Sequence, residues 1–184
     1  PFDTLDLGGF PCELVPLFTS ARCRALKRVY IVEQNYVSKI SSEALAASCH
    51  DSITSLFVCV RSPEFLGPLV KHCGHLDTLE VYSTGSGIAE EIGQHCRSPI
   101  TKMALIVDSI GDKGLRALIP ALHNCITLEI DNNCAKAISA EPLIAIAAAC
   151  PSIRCFVLKE FPGNVLSVLR EVVPSHVEIR NKSR

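Results

Sequence analysis

The strongest constraint on this chain is a spaced apolar triplet, Leu-x-x-Leu-x-Leu or a close variant, that recurs eight times. It reads Phe2/Leu5/Leu7, Leu26/Val29/Ile31, Ile53/Leu56/Val58 and Leu76/Leu79/Val81 in the first half. It continues as Ile100/Met103/Leu105, Cys125/Leu128/Ile130, Ile153/Phe156/Leu158 and, degraded, Pro174/Val177/Ile179. Successive first positions are separated by 24, 27, 23, 24, 25, 28 and 21 residues. Self-similarity at such a period marks stacked supersecondary units, none of which can bury its apolar face alone. Alternation inside each triplet turns its apolar members inward and the residues between them outward, as in a short strand.

The segments between triplets carry helical spacing. Ile88/Ile92/Cys96 fall at i, i+4, i+8, and both Leu115/Leu118/Ile119/Leu122 and Leu143/Ile146/Ala147/Cys150 fall at i, i+3, i+4, i+7. Leu14/Leu17/Phe18 make a shorter stripe, and Val165/Leu166, Leu169 and Val172/Val173 carry the last helix. Turn residues stand where strand passes to helix: Gly8-Gly9, Ser62-Pro63, Gly85-Ser86-Gly87, Gly111-Asp112-Lys113-Gly114 and Pro162-Gly163-Asn164. Asp112 and Asn164 are candidate helix caps. Pro142 suits a first helical turn. Pro120 does not suit a helix interior, which leaves a kink or a helix that starts only near it. The pattern predicts one α/β domain over 1–184 in which short strands alternate with helices.

Two segments suggest a family. Ser109-Ile110-Gly111-Asp112-Lys113-Gly114-Leu115-Arg116-Ala117-Leu118 resembles the helix start of ribonuclease-inhibitor-like leucine-rich repeats. The same run occurs in repeats of nucleotide-binding immune receptors and of the Ran GTPase activator. Cys150-Pro151-Ser152-Ile153-Arg154-Cys155-Phe156-Val157-Leu158 is similar to the cysteine-containing repeats of F-box substrate receptors. The resemblance to leucine-rich repeats implies a solenoid of about eight short repeats, with a curved parallel sheet on the concave side and helices on the convex side. It also implies a protein-binding role without catalysis. The named subtypes add two alternatives: substrate recognition within a ubiquitin ligase, or GTPase activation. The first triplet starts at Phe2 with no amphipathic element before it, so the N-terminal end is expected to be continued by further repeats or covered by a partner.

Composition narrows the function classes. A net charge of −1 and a pI near 6.7 give no pull towards nucleic acid or an anionic membrane. No stretch reaches the roughly 18 apolar residues that span a bilayer; the run around Leu143–Cys150 is too short. Ten cysteines might suggest a disulfide framework, but their register argues against one. Cys23, Cys73 and Cys150 lie three residues before a triplet, and Cys49 and Cys96 lie four before one. Equivalent positions stack, so these are expected to be reduced thiols acting as small buried hydrophobes. That points to an intracellular, cytoplasmic protein, with an organellar address left open because the sequence begins at Pro1 rather than Met.

The chemistry-bearing motifs give no active site. Cys49-His50, His72-Cys73-Gly74-His75, His95-Cys96 and His123-Asn124-Cys125 offer metal-ligand types, yet repeat register spreads them along the chain, and no Cys-x-x-Cys gathers them. Thr84-Gly85-Ser86-Gly87 lacks the complete glycine signatures of nucleotide loops and reads as a turn. No serine or cysteine sits in a nucleophile elbow. The Asn181-Lys182-Ser183 sequon reads as a chance match. No catalytic residue, metal, cofactor or small-molecule substrate is therefore expected.

The outward strand positions remain. They mix aromatic residues with charge, a composition that suits a protein interface. The expected contact surface consists of Arg28, Tyr30, Phe57, Glu80, Tyr82, Lys102, Ile106, Glu129 and Asp131 on the concave face.

Overall fold

The computed structural model describes residues 3–6, 25–32, 39–108, 110–131 and 138–182, with backbone alone for 39–41. Eight strands lie in one sheet in chain order: β1 (Thr4–Asp6), β2 (Arg28–Val32), β3 (Ser55–Val60), β4 (Thr78–Ser83), β5 (Lys102–Val107), β6 (Thr127–Asp131), β7 (Cys155–Lys159) and β8 (Glu178–Lys182). Every adjacent pair is parallel. Six helices alternate with the strands among the described residues: α1 (Lys39–Cys49), α2 (Pro63–His72), α3 (Ile88–His95), α4 (Gly111–Ala117), α5 (Glu141–Ala149) and α6 (Gly163–Val172). None of these is long and apolar enough to cross a membrane. The expected helix at Leu14/Leu17/Phe18 lies outside the described residues.

The triplets create this arrangement by placing equivalent apolar residues side by side. Leu56, Leu79, Met103, Leu128 and Phe156 follow one another across neighbouring strands, and each is fully buried. Helical stripes close over them: Leu66 and Leu69 from α2, Ile88 and Ile92 from α3, Leu115 from α4 and Leu143 and Ile146 from α5 are at most 1% exposed. Neighbouring repeats are also tied through the backbone just before each strand. The Lys27 carbonyl accepts from the N–H groups of Thr54 and Ser55, and that of Thr54 from Asp77 and Thr78. Asp77, Thr101 and Ile126 repeat the pattern towards the following strands.

Cys49, Cys73, Cys96 and Cys150 occupy equivalent places at helix ends in this core, and Cys23 lies outside the described residues. Cys73, Cys96 and Cys150 follow α2, α3 and α5, and the N–H of each closes the last turn by donating to Leu69, Ile92 and Ile146. Cys49, the last residue of α1, is 2% exposed. Burial pushes the Cys73 and Cys125 thiols up to about 12. They are thiols rather than thiolates at neutral pH and pack as small apolar groups.

The structure revises four details of the sequence reading. The last triplet is displaced by two residues: Ile179, not Val177, faces Phe156, a step of 23 residues rather than 21. A turn takes up the difference, with the Val177 N–H donating to the Pro174 carbonyl. Arg180 to Lys182 consequently belong to β8. At Pro120, neither a kink nor a late helix start occurs. Helix α4 stops at Ala117, and Pro120 enters a separate 3-10 turn, Ile119–Ala121. That turn keeps Leu118 and Leu122 buried while using i to i+3 bonds. Asp112 does not cap its own helix; its carboxylate accepts from the Ser139 N–H at 2.9 Å and the Ser139 hydroxyl at 2.6 Å. Asn164 lies inside the first turn of α6, which begins after Pro162 without a side-chain cap. Pro142 does occupy the first turn of α5.

Candidate functional site: the open face of the sheet

Alternation along the strands turns one set of side chains away from the helices, and the parallel register aligns them in rows. One row runs Tyr30, Phe57, Glu80, Ala104, Glu129, Val157 and Arg180. The row beside it on the C-terminal side runs Val32, Cys59, Tyr82, Ile106, Asp131 and Lys159. On the other side stand Arg28, Ser55, Thr78, Lys102 and Thr127. All nine residues singled out from the sequence fall on these three rows.

The structure groups the aromatics closely. Tyr30 and Phe57 have ring centroids 5.7 Å apart, and Phe57 and Tyr82 have centroids 5.0 Å apart, both tilted. Such separations lie within the favourable range for aromatic pairs. Tyr30 is 38% exposed. The three rings thus step across β2, β3 and β4 as one partly solvated apolar surface.

The charged residues pair with one another. Lys102 Nζ reaches Glu80 Oε1 at 2.7 Å, and Lys159 Nζ reaches Glu129 Oε1 at 2.6 Å and Asp131 Oδ2 at 4.0 Å. Arg28 pairs with Asp3 at 3.1 Å. The hydrogen bond that Lys102 donates to Glu80 raises its ammonium above the ordinary range, and the one that Lys159 donates to Glu129 does the same. The lysines are thereby held charged.

Sequence reasoning placed three side chains too far out. Ala104, Cys155 and Val157 point away from the helices, yet they are 5%, 7% and 4% exposed. Ala104 is short and stands in register between Glu80 and Glu129; Val157 stands between Glu129 and Arg180. Longer neighbours cover both, so they form floor rather than contact surface. Residues two places beyond the second row were missed. Arg61, Thr84 and Asp108 rim a groove of about 320 Å³ whose floor includes Cys59, Tyr82 and Ile106. Extending the alternation one more step along β3, β4 and β5 would have found them. Lys159, named in the outward row, proves to be the common partner of Glu129 and Asp131.

Thr84-Gly85-Ser86-Gly87 is a turn leading into α3. The Gly85 N–H donates to Ser83 Oγ at 3.0 Å. A Cβ at Gly85 would come within 2.0 Å of the Arg61 carbonyl oxygen, so glycine lets this turn lie against the preceding repeat. The histidines at 50, 72, 75 and 123 are exposed while the neighbouring cysteines are buried. Among the described residues no group of three or more His, Cys, Asp or Glu is placed to hold a metal ion. Compared with known proteins, the chain matches no protein-family model and no curated protein sequence.

Proposed function

We propose that this chain is a leucine-rich repeat module that binds a protein partner through the open strand face and catalyses no reaction. The observation that carries the proposal is the stack of Tyr30, Phe57 and Tyr82, partly solvated and bordered by paired charges. Aromatic clusters with polar rims are typical anchors of protein interfaces. The repeating strand–helix unit supports the family reading, and core cysteines in repeat register suit a reducing, intracellular and cytoplasmic setting. In this role the chain acts as a scaffold subunit or recognition element. Replacing Tyr30, Phe57 and Tyr82 together with Ala is expected to abolish capture of bound protein in affinity purification followed by mass spectrometry. Unchanged capture by a folded variant would move the contact surface elsewhere.

A second reading, substrate recognition within a ubiquitin ligase, draws support from the buried cysteines that follow α2, α3 and α5, as in cysteine-containing repeats. Co-purification of ligase adaptor subunits with a longer gene product carrying an F-box would favour it over a free-standing scaffold.

A further inference from the structure

The middle of the open face carries a charge bias that narrows the kind of partner. Three carboxylates, Glu80, Glu129 and Asp131, face two ammonium groups, Lys102 and Lys159. Glu80 and Glu129 each hold one lysine at hydrogen-bond distance. Among the described residues, Asp131 has only Lys159, at 4.0 Å, and its Oδ1 is buried with no hydrogen-bond donor. A buried carboxylate oxygen without a donor leaves this carboxylate poorly neutralised, and an outside cation meets it through the part of the side chain that stays exposed. The side chains of Asp131 and Lys159 are 13% and 25% exposed, so salt screens this corner less than the open surface.

Apolar surface adjoins the unanswered charge. Asp131 neighbours Ile106 in register, Ile106 neighbours Tyr82, and the Tyr82 ring packs on Phe57. Asp108 stands exposed at the same side of the groove, while Arg61 marks the opposite rim. Arg28, at the β2 side, is occupied by Asp3. A cation approaching the face is therefore drawn to the β5–β6 side, with the apolar surface of Ile106 and Tyr82 next to it in register. A guanidinium suits this place better than an ammonium, being planar, weakly hydrated and able to bind a carboxylate through two donors.

We propose that the partner is a protein segment presenting a basic side chain, arginine above all, whose cation enters beside Asp131 while adjacent apolar residues lie over Tyr82 and Phe57. This rests on the open face being the binding surface. The test is selection of phage-displayed random short peptides on the immobilised full chain, followed by affinity measurement on Asp131→Asn, on Tyr82→Leu and on the triple alanine variant of the aromatic stack. Enrichment of arginine-containing peptides that lose affinity by about tenfold on Asp131→Asn would support the proposal. Circular dichroism melting of the variants separates such losses from unfolding. Enriched peptides that are acidic or uncharged, depend on Tyr82 and ignore Asp131→Asn would overturn the basic partner and leave the binding face standing. Peptides that bind the triple variant as well as the parent chain, or no enrichment at all, would overturn both.

Discussion

Gly93 shows how a single position can be decided by its neighbour instead of by its own propensity. It lies inside α3, where glycine costs about 1 kcal/mol relative to alanine. A Cβ there, however, would stand 1.7 Å from the Ala117 carbonyl oxygen at the end of α4, a backbone atom that cannot rotate away. Gly93→Ala is therefore expected to destabilise by about 1–3 kcal/mol in urea unfolding, although propensity alone scores it as a gain. An increase in the urea midpoint would mean that α3 and α4 are not packed this closely. Nothing in the run Glu90 to His95 announces that constraint, because it depends on the next repeat. The inward residues are different. Leu56, Leu79 and Met103 declare themselves by parity and period, and each is buried as that pattern requires. The residues of the candidate face were legible by the same parity. Their pairing was not: which carboxylate Lys159 holds depends on side-chain reach across strands.

At the scale of elements, the eighth strand and the second helix are instructive. A two-residue displacement of β8 leaves every side chain on the same face, since strand alternation has a period of two. The apolar pattern of Val177 and Ile179 thus could not distinguish the two registers, and the turn at Pro174 decided between them. Helix α2 carries Pro68 six residues into a ten-residue helix. Proline has no N–H to give the Glu64 carbonyl one turn earlier, and its ring crowds that turn. Pro68→Ala is expected to raise stability by about 1–2 kcal/mol, the helical gain being offset in part by a freer unfolded chain. Thermal and urea unfolding check this, and a loss of stability would show that the Pro68 ring contributes packing that outweighs its cost to the helix.

At the scale of the whole molecule, repeats that contact mainly their neighbours make stability a sum of local and interface terms. Buried thiols distributed through that stack give it a pH dependence. Below about pH 9 the thiols are protonated in both folded and unfolded chains and have no effect. Above it the unfolded chain releases their protons, while burial keeps Cys73 and Cys125 protonated up to about 12. Stability is therefore expected to fall as pH rises through this window, by about 2 kcal/mol for each of these two thiols at pH 11. Lys102 and Lys159, raised by their carboxylate partners, add to the fall in the same direction: their stabilisation is present below the ordinary lysine range and lost above the raised values. Urea unfolding across alkaline pH measures the slope, which should flatten when Cys73 and Cys125 are both replaced by Ala. The proposed function places partner chemistry on the open face, outside this core of protonated thiols and apolar side chains. The most direct test of that claim is site-specific photo-crosslinking with benzoylphenylalanine at Tyr82 on the open face and, separately, at the exposed Lys71 on α2. The account predicts partner crosslinks from position 82 and none from position 71; crosslinks from position 71 with none from position 82 would contradict it.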